Sequence, residues 1–239
     1  MTQTWLLVFA RAAGLAARAP GFSPPSVPAI VRARLAVGLA CAVAPNLPPA
    51  RRLDAPAFAL AAGAEAALGA AIGFGASLLY DGAYFAGRTI DDYLGVRGSV
   101  PGANVTSAQG FGRLWSASFL AAFLLLDGWV PLVVAFADSF ARVAPGAFPS
   151  TGAWRQFAFA LPATLMHAAL LVAAPAIAVA ATLHLALAAV TRVVPRFGSF
   201  SLAFPLVFAA ALCVTVVTLP QLIPLGARPW LVVPWEIPR

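Results

Sequence analysis

Charge is what this sequence has least of. Asp, Glu, Lys and Arg make up only 10% of its 239 residues, against about 25% in soluble domains. So few ionised groups cannot cover a water-facing surface of that size, which excludes a soluble globular domain. Lysine is absent, and all 15 basic residues are arginine. These arginines are dispersed between apolar blocks, with no dense basic patch and no interleaved stacking aromatics. That pattern excludes nucleic-acid recognition and fits cations that flank membrane spans. There are two cysteines, Cys41 and Cys213. Neither has the spacing of a metal or redox motif, and both are expected to be small buried hydrophobes inside apolar segments. The N-terminus lacks a positive region ahead of its apolar stretch, and Arg11 interrupts that stretch. The first segment is therefore read as retained rather than as a signal peptide.

What the chain has in abundance is apolar length. Hydrophobic residues make up 62% of it, and the mean hydropathy is +0.89. A helix crosses the hydrocarbon with about 20 apolar residues, and six segments approach that pattern: 5–17, 29–47, 55–84, 114–137, 157–190 and 200–223. The expected fold class is all-α, a polytopic membrane protein with kinked hairpins. The first segment is short. The second stops at Pro48-Pro49, because proline ends helices. In the third, Gly63, Gly69, Gly73 and Gly75 are expected to let helices approach closely, the small-residue packing that replaces a hydrophobic drive in lipid. The fourth is broken at Asp127-Gly128. The fifth would be about 50 Å long at 1.5 Å per residue and carries Pro162 and Pro175, so it is read as one long bent helix, the alternative being two short ones. Residues 97–112, RGSVPGANVTSAQGFG, have no apolar period and read as a loop. No internal repeat of the kind that marks secondary transporters is present.

The ionisable groups in or beside apolar segments are Glu65, Asp81, Asp127, Asp138, His167 and His184. Such groups are costly in a membrane and often functional. One reading is a proton or ion path. The other is a place at a helix end, against a partner, or in a hydrogen-bonded neutral form. The two histidines lie about five helical turns apart with no carboxylate or thiol at ligand spacing, so no metal site is expected. GxSxG, P-loop and nucleotide-binding fingerprints are all absent. No catalytic residues and no cofactor are expected.

Four stretches carry a family resemblance. They are ARAPGFSPPSVPAIVRARLAVGLACAVAPNLP with Arg11 near the N-terminus, EAALGAAIGFGASLLYDGAYFAGRTID, DGWVPLVVAFADSFARVAPGAF, and PAIAVAATLHLALAAVTRVVPRFGSFSLAFPLVFAAAL. In this order they resemble the FliR family of flagellar export and its injectisome counterpart SctT (also called YscT, SpaR or HrcT), over residues 7–219. In the last and most specific stretch, Arg192, Pro195, Phe200, Phe204 and Pro205 fall on family positions. Three departures stand out: Trp129 where many members have His, Val100 where flagellar members often have Asp, and Arg196 where Gln is usual.

The resemblance implies a non-enzymatic component of a type III export gate in the bacterial inner membrane. It implies a FliP-like part over 1–150 and a FliQ-like hairpin over 151–239, its tip at 192–198. The implied partners are FliP/SctR-like and FliQ/SctS-like subunits, with FlhB/SctU-like switch and FlhA/SctV-like export proteins nearby, and unfolded protein substrates passing through. The loop at 97–112, with Arg97, Gly98, Pro101, Gly102, Asn104 and Gln109, would help plug the closed channel. The tip arginines are expected on the cytoplasmic side and both termini on the periplasmic side. Residues 88–92, Arg-Thr-Ile-Asp-Asp, resemble the injectisome pattern more than the flagellar one, which would make the protein a virulence component. The rival reading from another class is a small-molecule or ion transporter using Glu65, His167 and His184. An intramembrane enzyme is a third.

Overall fold

The structure, a computed structural model, describes residues 2–22, 27–50, 52–94, 110–147, 151–194 and 203–227. Seven α-helices are found among them: α1 (Thr2–Arg18), α2 (Ala29–Val43), α3 (Ala55–Leu94), α4 (Phe111–Leu125), α5 (Trp129–Arg142), α6 (Thr151–Val193) and α7 (Ala203–Ala227). A 3-10 turn, Ala44–Asn46, ends α2. No strand occurs among the described residues. Helices α2, α3, α6 and α7 are long and apolar enough to cross a membrane, and the bent pair α4–α5 makes a fifth span if counted as one. The protein is thus an all-α, polytopic membrane protein.

Contacts divide the chain into two compact units, one of residues 1–78, 123–164 and 229–239, the other of residues 79–122 and 165–228. In the first, Val8, Ala12 and Leu15 of α1 and Ala19 just after it lie at helical spacing in one core. Ala36 and Ala40 of α2, Ile72 and Ala76 of α3, Phe123 of α4, and Leu132, Phe136 and Phe140 of α5 complete it. Hydrocarbon is as apolar as a leucine, so burial alone drives little association in a bilayer, and close packing and polar links must do it. Both are present. A Cβ on Gly14 would collide with the Ala66 carbonyl, and one on Gly69 with the Arg11 carbonyl. At Gly73 it would lie 2.7 Å from the Leu15 carbonyl. Gly63, expected to behave likewise, faces open space. The chain between α2 and α3 is tied to the start of α1. Thr4 Oγ1 accepts the Ala50 N–H at 2.8 Å, and the Gln3 amide bonds Leu53 N–H and carbonyl at 3.1 and 3.0 Å.

The α4–α5 break falls where the sequence placed it. Asp127 takes a positive φ of 53°, a conformation Asp adopts more readily than most residues. The Gly128 N–H reaches back to the Phe123 carbonyl at 2.8 Å.

In the second unit, α6 buries Ala168, Val172, Ala176 and Ala180 at four-residue spacing with Ala173 beside them, and α7 buries Val207, Ala211 and Thr215 at the same spacing. Gly82 meets the Ala168 methyl, where an added Cβ would sit 2.8 Å away.

The third segment, with its polar end through Arg88, Asp91 and Asp92, is α3, which runs to Leu94 because Ile90 and Asp91 are buried and hold its last turns in the fold. The fifth is one long helix of 43 residues, not two short ones. Pro162 and Pro175 each remove a backbone donor inside it without ending it, as membrane helices tolerate where neighbouring groups satisfy the freed carbonyls. Cys41 and Cys213 are exposed, not buried, because α2 and α7 bury only narrow stripes, Ala36 and Ala40 in one and Val207, Ala211 and Thr215 in the other, and both thiols fall outside them.

Candidate functional site

The polar centre of the first unit is built on Arg11. Its side chain is fully buried, as is Glu65 four residues before Gly69 on α3. Arg11 Nε donates to Glu65 Oε2. Nη1 donates to Ser139 Oγ at 2.8 Å and Nη2 to the Val143 carbonyl at 3.0 Å. The guanidinium lies 3.9 Å from the centre of the Phe140 ring, a favourable cation–π placement. Glu65 Oε1 accepts the Gly146 N–H at 2.8 Å. Gly146 has φ +84°, the left-handed conformation that glycine allows at no steric cost. One arginine and one glutamate thus join α1, α3, α5 and the turn after α5. Neither charge is left uncompensated, the condition under which such a pair is tolerated in an apolar interior.

This arrangement bears on the transporter reading. An ion-carrying Glu65 must bind and release a cation, but both its oxygens are committed to Arg11 and Gly146. His167 and His184 are exposed on α6, and His184 meets Tyr93 edge-on at 5.6 Å. Asp138 is exposed, and Asp127 accepts the Trp129 indole N–H at 3.2 Å. Among the described residues no three His, Cys, Asp or Glu side chains gather to hold a metal.

In the second unit the polar centre is Asp91. Its carboxylate accepts the Phe111 N–H at 2.8 Å and the Gly112 N–H at 3.0 Å. These are orphan donors at the start of α4, so Asp91 caps a helix from outside that helix, where a negative charge also suits the dipole. Burial pushes its carboxyl above the usual range, the Gly112 and Phe111 N–H groups pull it back, and Asp92 lifts it again. Gly110, at φ +66°, lets the chain turn against Asp91. Gly87 packs directly on Gly112, with no room for a Cβ. Phe111 meets Phe208 edge-on at 5.4 Å, and Phe208 stacks on Phe204 at 5.8 Å. The exit of the 97–112 stretch and the beginning of α7 therefore share one aromatic cluster. Sequence reasoning used Asp91 only in the injectisome likeness of residues 88–92; its one local signal for this role was an acid preceding a Gly-flanked helix start.

Of the expected site residues, Arg97, Gly98, Pro101, Gly102, Asn104 and Gln109 lie outside the described residues, as do Pro195, Arg196 and Phe200. Arg192 is exposed in the last turn of α6. Phe204 and Pro205 open α7, both exposed, and Phe204 reaches the Phe111 cluster through Phe208.

Substituting Asp91 with alanine should remove both caps, at about 1 kcal/mol. Hydrogen exchange at the Phe111 and Gly112 amides should then quicken about five-fold or more, while Asp92→Ala leaves both unchanged. Equal exchange in all three proteins would show that Asp91 does not hold the start of α4.

A chain of apolar helices locked by buried polar links is a multi-pass membrane protein. The sequence comparisons say which. The profile of the bacterial export proteins, family 1, matches residues 2–230, and the chain belongs to that family. It is also similar to the flagellar biosynthetic protein FliR of Escherichia coli (strain K12), with 27% identity over 221 residues, 90% of this chain and 83% of the relative. The FliR/SctT resemblance is thereby supported. The protein is a non-enzymatic component of a flagellar-type or type III export apparatus, in the inner membrane, and works in a complex with other export components.

Proposed function

We propose that this chain is a structural subunit of the export gate, forming the entrance portal for unfolded proteins with FliP/SctR-like and FliQ/SctS-like subunits, beside FlhB/SctU-like and FlhA/SctV-like proteins. The observation that carries this reading is the Asp91 anchor. The 97–112 stretch, which corresponds by resemblance to the family's plug loop, ends on a helix start fastened by two hydrogen bonds, and Gly87 sits directly beneath it. A plug must block ions yet give way to a passing chain. A loop of Gly, Ser and Asn gains little packing energy on ordering, so a firm anchor at its end lets it yield and return. The division into a FliP-like part (1–150) and a FliQ-like hairpin (151–239), with the hairpin tip on the cytoplasmic side, belongs to this reading. The likeness of residues 88–92 to the injectisome pattern favours an injectisome gate, and a flagellar gate would use the same anchor.

What the helices leave uncovered supports partner surfaces as well. Only 17%, 22% and 17% of the residues in the α2, α6 and α7 spans are buried. At about 1.5 Å per residue, α6 is roughly 65 Å long, about twice the hydrocarbon thickness. An apolar helix of that length needs protein against part of it.

The test is co-expression of the tagged chain with the two partner subunits, as wild type and with residues 98–109 deleted. Both forms should purify with both partners, and only the deletion should make the host membrane leak ions. Failure of the wild type to retain either partner would overturn the gate assignment. A tight membrane in the deletion strain would overturn the plug.

A further inference from the structure

The turn that ends α2 leaves a cavity of about 210 Å³ against the start of α1. Thr4 and Trp5 of α1 line one side of it, and Ala44, Pro45, Leu47 and Pro49 line the other. The two sides are tied together just beyond the cavity, where Thr4 Oγ1 accepts the Ala50 N–H at 2.8 Å and the Gln3 amide bonds Leu53. Trp5 is stacked on Phe9, ring centres 5.5 Å apart and nearly parallel. The cavity is therefore built into the fold. An apolar cavity of about 150 Å³ is enough to hold a benzene, so this one has room for several methylenes.

Its lining asks for hydrocarbon and for one acceptor. Proline has no N–H, so Pro45 and Pro49 present no donor, and the Leu47 N–H is spent on the Ala44 carbonyl at 3.3 Å. Two donors remain. No hydrogen bond of the Trp5 indole N–H is found among the described residues, and the Thr4 hydroxyl, which accepts from Ala50, keeps its own hydrogen to give. The level of the cavity follows from α2. Its apolar span runs Ala29–Asn46, so residues 44–49 stand where hydrocarbon gives way to head groups, a boundary that tryptophan favours. Arg52 and Asp54, both exposed, come just beyond. Apolar cavity, two donors and then charge repeat the order of chain, ester carbonyl and head group in a phospholipid. A leucine or phenylalanine of a partner would fill the space but bring no side-chain acceptor.

We propose that this cavity takes the upper part of one acyl chain of a membrane phospholipid, whose ester carbonyl accepts from Trp5 or Thr4. With Arg52 and Asp54 of opposite sign at the head-group level, the site selects the chain and not the charge of the head. A seated chain would fasten the start of α1 and the end of α2 at the boundary of the bilayer. This proposal does not depend on the gate assignment.

The test is photolabelling of the full chain in phosphatidylcholine vesicles that carry a diazirine on the acyl carbons next to the ester, with labelled residues located by mass spectrometry. Trp5 and residues 44–49 should be labelled in clear excess over the exposed faces of α6 and α7. A diazirine at the terminal methyl should give no such excess. Ala44→Phe, which fills the cavity from its own wall, should abolish the excess. Trp5→Phe keeps a ring and removes the N–H, and should weaken it about five-fold, the worth of one hydrogen bond. Should Ala44→Phe fold poorly, the two probes on the unmodified chain decide. Labelling no stronger than on α6 and α7, an equal excess from the terminal-methyl probe, or an excess that survives Ala44→Phe in a folded protein would each overturn the proposal. So would loss of the excess when the two partner subunits are co-reconstituted, which would assign the cavity to a protein side chain.

Discussion

Replacing Arg11 with methionine should unfold the first unit or bring it close to unfolding, whereas the double variant Arg11→Met with Glu65→Gln should recover most of the loss. In the single variant, Glu65 keeps its charge in a dry interior with only the Gly146 N–H against it. Breaking a buried pair from one side costs about 3–5 kcal/mol, because the surviving charge is left uncompensated. Native domains are stable by only about 5–15 kcal/mol, so the chain should accumulate poorly and lose much of its midpoint in thermal or denaturant unfolding. Glutamine at position 65 removes the stranded charge and keeps a carbonyl oxygen for the Gly146 N–H. Ser139 still donates to the Phe136 carbonyl at 2.6 Å. The Val143 carbonyl loses the donor Arg11 gave it, at about 1 kcal/mol, and the Ser139 hydroxyl loses one of its two bonds. The coupling between the two sites should therefore reach about 2–3 kcal/mol. Measured on detergent-purified chain, strictly additive losses would mean that Arg11 and Glu65 do not act as one unit.

That pair marks the limit of what the sequence could tell. The spans were legible because an apolar run of bilayer length has few other meanings, and Pro48-Pro49 and Asp127-Gly128 break it in plain view. Arg11 and Glu65 were each visible as misplaced charges, and Glu65 could be suspected of ion transport. Their pairing was not visible, because it joins residues 54 apart through a packing of helices that no local rule specifies. Ser139 looked like an ordinary small polar residue until Arg11 reached it. The cysteines illustrate the converse. In a soluble protein an apolar stretch implies burial, but in a membrane helix lipid or a partner can cover the same face, so hydropathy says nothing of which side turns inward. The glycines of α3 were grouped by composition when they should have been grouped by face. Glu65, Gly69 and Gly73 recur every four residues and form one stripe. Gly63 lies about 200° round the helix from Glu65 and belongs to another.

The face of each glycine predicts the second large effect. Gly69→Val should prevent α1 from seating on α3, and Gly14→Val should do the same from the opposite helix. At each site the added Cβ meets a backbone carbonyl, of Arg11 or of Ala66. A flexible side chain could swing aside, but a carbonyl fixed in its own helix cannot, so the two helices must separate by about the width of a methyl group. Overpacking costs about 1–3 kcal/mol even where side chains can adjust. Here the separation would also stretch the Arg11–Glu65 contact, since Glu65 lies one turn before Gly69 and Arg11 is the very residue struck. The loss should therefore exceed that range and match or surpass that of Arg11→Met. Gly63→Ala supplies the contrast. Nothing lies within 4 Å of its added Cβ, and alanine is favoured over glycine inside a helix by about 0.5–1 kcal/mol. That variant should be neutral or slightly more stable, and it should assemble normally. Unfolding midpoints of the three variants would test the argument together. If Gly69→Val and Gly63→Ala proved alike, the close approach of α1 and α3 would have to be abandoned, along with the placement of Arg11 that depends on it.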